Sequence, residues 1–311
     1  MAKSAHTAET QLTIWRRRLR WQRLSNYLFV MPAALFLLAF MIYPVLFNIQ
    51  ISLYDMKAIN LVRGDAPFVG LDNYRAVLTD PVFIEAARHS IAFTIGSIIF
   101  QVSIGLALAL FYNQRFPGSH LMRGLYLIAW TIPVVVTGAV FRWLLDGQFG
   151  VINWALRTIG LMNEPIFWLS EPAYALGAVM FVNIWLGVPF NMVLLLAGLQ
   201  AIPHELYEAA SIDGANRLGK LWYVTLPLLR PALLAVLLLG LIYTFRIFDL
   251  IWIMTRGGPV NATQVLPTLA YKLVFEQFIF GRGAAVLNLV FIILFVLSLG
   301  YLRVIRREEA A

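Results

Sequence analysis

Pro203-His-Glu-Leu-Tyr-Glu-Ala-Ala-Ser-Ile-Asp-Gly-Ala-Asn-Arg-Leu-Gly-Lys-Leu-Trp-Tyr-Val-Thr-Leu-Pro-Leu-Leu-Arg-Pro231 is a long polar island in the strongly apolar second half of the chain. Asp213-Gly214 is a turn signal, because glycine tolerates positive φ and aspartate bonds its own backbone. The island therefore reads as two short helices joined at a bend. Pro203 suits the first turn of the first helix, and Pro231 marks a new helix start. Leu206, Ala209 and Ala210 share a face at helical spacing, while Glu205 and Glu208 lie on the other side. A helix that is small on one face and acidic on the other suits docking into a groove.

Outward from the island, apolar residues dominate. Hydrophobic residues make up 60% of the chain and charged ones 13%, against about 25% charged in ordinary soluble domains. Such a chain belongs in a membrane. It has no cysteine, which excludes disulfides, thiolate metal sites and cysteine nucleophiles. The net charge of +8 would suit a nucleic acid, but the cations lie mainly at the ends of apolar runs rather than on one amphipathic face. Their placement reports orientation across a bilayer, and no nucleic-acid partner is expected.

A first apolar run extends from about Tyr27 to Leu53, longer than the ~20 residues a spanning helix needs and longer than the core of a cleaved signal peptide. Five further spans follow at about Ser90–Tyr112, Leu121–Leu145, Ala173–Gln200, Pro231–Met254 and Gly283–Leu302. Six spans put both termini on one side. The segment from Met1 to about Ser25 carries Arg16, Arg17, Arg18, Arg20 and Arg23, with Trp15 and Trp21 among them. It reads as a cytoplasmic anchor under the positive-inside rule, with a surface-lying amphipathic segment as the alternative. That orientation also places the 203–231 island in the cytoplasm. Small residues in the second span, Ser103, Gly105, Ala107 and Ala109, allow close helix approach.

Gly214-Ala-Asn-Arg-Leu-Gly219-Lys220 imitates a phosphate-binding loop, but Leu221 stands where a magnesium-ligating Ser or Thr is needed and no strand pattern precedes it. Nucleotide binding by this chain is not expected. The histidines, His6, His89, His120 and His204, are scattered, and neither H-E-x-x-H nor G-x-S-x-G occurs. The chain is read as having no catalytic site, no metal site and no cofactor of its own.

Glu208-Ala-Ala-x-x-Asp213-Gly214-Ala215, followed by Leu226-Pro227 and Pro231, resembles the EAA loop of the membrane subunits of binding-protein-dependent ABC importers. Leu221 stands where an aromatic residue is usual, with Trp222 directly after it. Two further stretches resemble the carbohydrate-type members: Phe68-Val-Gly-Leu-Asp-Asn-Tyr74, which reads from its residues as a packed loop or short interfacial helix, and Thr255-Arg-Gly-Gly-Pro259, a tight turn. The resemblance implies an all-α membrane protein with six transmembrane helices and the type I ABC importer permease fold. Residues 1–25 would be a cytoplasmic basic segment, 26–304 the permease domain containing the coupling loop 203–231, and 305–311 a cytoplasmic tail. In that loop Glu208, Ala209, Ala210, Asp213, Gly214, Ala215, Leu226 and Pro227 would meet the ATPase. The resemblance further implies a second homologous permease, two ATP-binding subunits, an extracytoplasmic solute-binding protein and a sugar substrate: a disaccharide, glycoside or related derivative. The location implied is a bacterial inner membrane, with both termini cytoplasmic.

Polar groups within the spans mark the candidate pathway. Arg246 and Asp249 lie in the fifth span, where each ion costs about 2.5–3.5 kcal/mol at a helix centre. At i, i+3 they share a face and are expected to pair; the alternative is an arginine facing a wet pathway, which would admit an anionic sugar. In the fourth span Asn183-Ile-Trp-Leu186-Gly187-Val-Pro189-Phe190-Asn191 carries a helix-weakening Gly and Pro, tolerated at membrane depth where backbone is buried or lines a cavity. This stretch resembles one in maltose-type permeases, which makes Asn183, Leu186, Gly187 and Phe190 candidate sugar contacts, with Thr244 in the fifth span. Phe190 replaces a tyrosine there and lacks its hydroxyl. Asn183 and Asn191 have a second reading, as hydrogen bonds between helices. The rival function, an ion-gradient-driven secondary transporter of a small polar solute, would ordinarily show repeats and several membrane carboxylates; Asp249 is the acid deep in a span.

Overall fold

The computed structural model describes residues 28–114 and 116–309, so the expected N-terminal anchor lies outside the described residues. The described residues separate into two compact units, divided between Ile51 and Ser52. Helix α1, Leu28–Ser52, makes up the described part of the first unit but for its last residue, which is counted in the second, and is long enough to cross a bilayer, with one wider π turn at Leu38–Ile42.

In the second unit the short helices α2 (Ala58–Arg63) and α3 (Asp72–Leu78) lead to α4, Pro81–Tyr112. Helix α4 begins nine residues before the expected Ser90. Asp80 caps it, its carboxylate accepting from the Val82 amide at 2.8 Å, and Pro81 occupies the first turn. Ile84, Ile91, Ile95 and Ile99 face outward, while Ala86, Ser90, Thr94, Ser97, Gln101, Gly105 and Ala109 are buried. Apolar outside and small or polar inside is the arrangement of a lipid-embedded helix. Of the small residues expected at a helix contact, Gly105 and Ala109 serve and Ser103 and Ala107 are exposed.

The expected third span is two helices, α5 (Ser119–Thr131) and α6 (Val134–Leu144), bent by 94°. Pro133 causes the break: it lacks the N–H a continuing helix needs and forces Ile132 to extended dihedrals, φ −70 and ψ 128. After the amphipathic α7 (Val151–Thr158) comes α8, Pro172–Gln200, which lies along α4. Then follow α9 (His204–Ile212) and α10 (Arg217–Phe245). Pro231 does not start a helix as expected; it lies inside α10, whose regular part starts at Leu226 after a π turn at Leu221–Thr225. Nor does the fifth span continue to Met254. Helix α10 ends at Phe245, and α11 restarts at Asp249–Met254. Helices α12 (Leu266–Tyr271) and α13 (Phe280–Glu309) complete the order.

By length and composition five helices can cross a membrane, six if the bent pair α5–α6 is one span. Among the described residues the remaining structure is the short helices, loops and two isolated bridges, Tyr54 with Phe68 and Lys57 with Ile279. Three buried clusters knit the second unit. One joins α3, α4, α12 and α13 around Val77, Phe83, Leu266 and Val286; one joins α4, α6, α8 and α11 around Phe93, Val179, Val182 and Ile251; the third joins α4, α8 and α10 around Met192, Leu195, Leu229 and Val236.

The 68–74 stretch is packed structure. Asn73 donates to the Ser52 and Tyr54 carbonyls at 2.9 and 2.8 Å, and the Tyr74 hydroxyl meets Ser52 Oγ at 2.7 Å and Asn288 Nδ2 at 2.9 Å. The 255–259 turn is tied across its base by Thr255 and Thr263, whose hydroxyls lie 2.7 Å apart.

Candidate functional site

Where α8 is weakened by Gly187 and Pro189, and where the chain breaks between α10 and α11, the bundle holds a cavity of about 710 Å³. Asn183, Leu186, Gly187, Phe190, Asn191, Thr244, Arg246 and Asp249 all line it. The backbone explains the space. Pro189 has no N–H to offer the Trp185 carbonyl, and Asn191 Nδ2 bonds the Gly187 carbonyl at 2.7 Å. Phe190 sits between two rings, 5.5 Å from Trp130 and 6.3 Å edge-on from Tyr243. Aromatic faces beside amides and hydroxyls suit a ligand with C–H faces and many hydroxyl groups.

The expected ion pair is absent. No carboxylate oxygen lies within 4.0 Å of a cationic nitrogen of Arg246 among the described residues. The i, i+3 argument assumed a continuous helix, whereas Arg246 caps the end of α10 and Asp249 opens α11 after a non-helical link. Arg246 instead places its guanidinium 5.2 Å from the centre of the Tyr243 ring. Both charges therefore line the cavity as separate groups.

Gln101, Trp130 and Tyr243 also line the cavity and were not singled out in the sequence. The signal for Gln101 was available: with Thr94 and Ser97 it forms a polar row at i, i+3, i+7 in an otherwise apolar span. Several buried polar atoms along this seam, Thr94 Oγ1, Ser97 Oγ, Asn183 Nδ2 and Asn191 Oδ1, have no hydrogen-bond partner among the described residues.

At one end of α8 and α10 lies the polar island. Asp213 ends α9 and Gly214 takes φ +82, the left-handed turn expected of that dipeptide. The Ala215 amide closes back on the Ala210 carbonyl at 2.8 Å, and Asn216 caps the next helix by accepting from the Gly219 amide. Lys220, the lysine of the false phosphate loop, reaches Ser211 Oγ at 2.6 Å and ties the two arms of the elbow together. Tyr207 meets Thr225 across the same angle at 3.1 Å. Glu208 and Ala209 are exposed; Glu208 faces His204 one turn away at 3.9 Å. Ala210, Ala215 and Leu226 are half-buried, and Asp213, Gly214 and Pro227 are exposed. Leu206, Ile212 and Leu218 present an apolar surface around the bend, with Trp222 exposed beside it.

At the opposite end, the 146–170 loop is organised on two side chains. Buried Asn153 donates to the Gly147 and Ile166 carbonyls, each at 2.9 Å, and accepts from Trp168 Nε1 at 2.7 Å. Asp146 accepts from the Phe149 and Gln148 amides, which hold its carboxyl below the usual range.

Long apolar helices, a cavity at a helix break and an exposed helical elbow define a membrane transport subunit. The family described as binding-protein-dependent transport system inner membrane component matches residues 101–308, and the chain belongs to it. It is 36% identical to the trehalose/maltose transport system permease protein MalF of Thermococcus litoralis, over 90% of this chain and 92% of that one. It is 33% identical to the sulfoquinovosyl glycerol transport system permease protein SmoG of Agrobacterium fabrum, over 97% of each. Among solved structures, the fold is that of a bacterial ABC transporter involved in the import of the acidic polysaccharide alginate: TM-score 0.79, 22% identity, 94% of this chain and 98% of that chain. The chain thus has the type I ABC importer permease fold anticipated from the sequence.

Proposed function

We propose that this chain is the permease subunit of an ATP-driven importer and forms half of the translocation pathway for a sugar. The observation that carries the sugar reading is the cavity at the helix break, where Asn183, Asn191 and Thr244 meet the rings of Trp130, Phe190 and Tyr243. Relatives named for trehalose/maltose and sulfoquinovosyl glycerol support it. The other half would come from a second, homologous permease, the sugar from an extracytoplasmic solute-binding protein. Two ATP-binding subunits would sit on the cytoplasmic side, with both termini of this chain, and hydrolyse the ATP. The α9–α10 elbow is the coupling element: Glu208, Ala209, Ala210, Asp213, Gly214 and Ala215 dock in the ATPase, and Leu226 and Pro227 join the elbow to the span. ATPase closure then draws two such elbows together and switches the cavity from inward- to outward-facing.

Co-purification tests this reading. The ATPase is expected to be captured by the wild-type chain and lost on Glu208→Lys or Gly214→Pro, with the chain still inserted in the membrane. Uptake that persists without ATP under a proton or sodium gradient would instead establish the secondary-transporter reading.

A further inference from the structure

We infer that Gln101 is a substrate-contacting residue whose Oε1 accepts a hydrogen bond from a hydroxyl of the transported sugar, and that Gly187 is the residue that seats it. The inference rests on the sugar pathway proposed above and goes one residue deeper into it. Gln101 is 4% exposed, in a helix whose lipid-facing side is isoleucine. Its Nε2 donates to the Asn183 carbonyl at 2.8 Å. A carbonyl accepts and never donates, so this bond fixes which end of the amide is nitrogen and aims the oxygen the other way. Among the described residues no donor reaches Oε1, yet the atom is not among those sealed from solvent, and Gln101 lines the cavity. The chain thus presents a fixed, unfilled acceptor at the cavity wall.

The seat is specific. A β-carbon at position 187 would lie 2.4 Å from Gln101 Cδ and Nε2 and 2.7 Å from Oε1, far inside van der Waals contact and against an amide held by its own hydrogen bond. A β-carbon at 187 therefore displaces the Gln101 amide from this position. The protein fills this acceptor with no donor of its own among the described residues, and a sugar hydroxyl in the cavity supplies one. Gly187 then acts through Gln101, in addition to whatever contact its backbone makes.

The test is uptake of trehalose and its 2,2′-, 3,3′-, 4,4′- and 6,6′-dideoxy analogues, which lack the hydroxyl on both equivalent rings, at saturating concentration, by the intact importer. Wild type is expected to import one analogue, the one lacking the hydroxyl read by Gln101, about three- to tenfold more slowly than trehalose. Gln101→Leu should slow trehalose to the rate of that analogue and leave the other analogues ranked as before. Gly187→Ala should give the same loss of discrimination, and Gly187→Ala with Gln101→Leu no further loss. A Gln101→Leu importer that keeps wild-type discrimination, or slows every sugar by the same factor, overturns the inference. Asn183→Ala separates the two levels: if it slows trehalose uptake while Gln101→Leu does not, only the role of Gln101 falls; if neither has any effect, the sugar pathway itself falls.

Discussion

Arg246 and Asp249 give the sharpest test of the structure, because sequence spacing and observed backbone lead to opposite energetics. Consider Arg246→Met, Asp249→Asn and the double variant in the purified assembly without sugar. Were the two charges paired in a low-dielectric setting, removing either would strand the other at about 3–5 kcal/mol, and removing both would recover much of that loss. At ~2–4 °C of Tm per kcal/mol for a large domain, each single variant would melt ~6–20 °C lower and the double would rise again. The structure gives other magnitudes. Arg246 loses a partly exposed contact with Tyr243, about 0.5–1 kcal/mol. Asp249 loses a favourable place in the first turn of α11, about 0.3–1 kcal/mol. Each single variant should therefore melt within ~4 °C of wild type, with the two shifts adding to within about 0.5 kcal/mol. Differential scanning fluorimetry on the four assemblies decides it. A double variant more stable than either single one would refute the unpaired reading.

Three further outcomes follow from particular contacts. Asn153→Ala removes three hydrogen bonds and leaves Trp168 Nε1 without its acceptor, so about 2–4 kcal/mol of loop stability should go, read as a large rise in proteolytic nicking between 146 and 170. Gly214→Ala meets no atom of the described residues within 4 Å but forces alanine to φ +82, a strain of about 1–2 kcal/mol; ATPase capture should weaken, while Gly214→Asn, which tolerates that φ, should largely keep it. Asp146 has a lowered folded pKa because the Phe149 and Gln148 amides donate to it, so its contribution is present above the ordinary carboxylate pKa and is lost as pH falls through the folded value. Hydrogen-exchange protection of those two amides should hold from neutral pH into the mildly acidic range and collapse below it, and Asp146→Asn should remove that step.

The existence of the spans was legible because each is a predominantly apolar run of about 20 residues or more. Their ends were less legible, since a helix stops where its backbone is capped and not where hydropathy changes: Asp80 and Pro81 start α4 well outside the apolar core. Breaks within a run were the least legible. Pro133 folds the third span back by 94° while Pro189 and Pro231 leave α8 and α10 continuous. The residue type is the same in all three cases, so the difference lies in what surrounds the freed carbonyl. At Pro189 the neighbouring turn gains a substitute bond from Asn191 to Gly187, and Pro231 lies in the second turn of the regular part of α10, which starts at Leu226 after the wider π turn.

The same reasoning explains how much of the site could be read. The 183–191 stretch stood out because Gly, Pro and Asn are anomalous together in an apolar helix, and the structure brings that stretch to the cavity wall with Thr244, Arg246 and Asp249. Gln101 did not stand out, because one glutamine in a span is ambiguous until its partner is known. That partner is a backbone carbonyl, which carries no mark in the sequence, in a seat left open by an absent β-carbon. Polar residues facing side chains announce themselves as pairs of unusual letters; those facing backbone are announced only by a glycine on the opposite helix. In this chain the glutamine of α4 and the glycine of α8 are therefore one feature, and a change at either position should behave as a change at both.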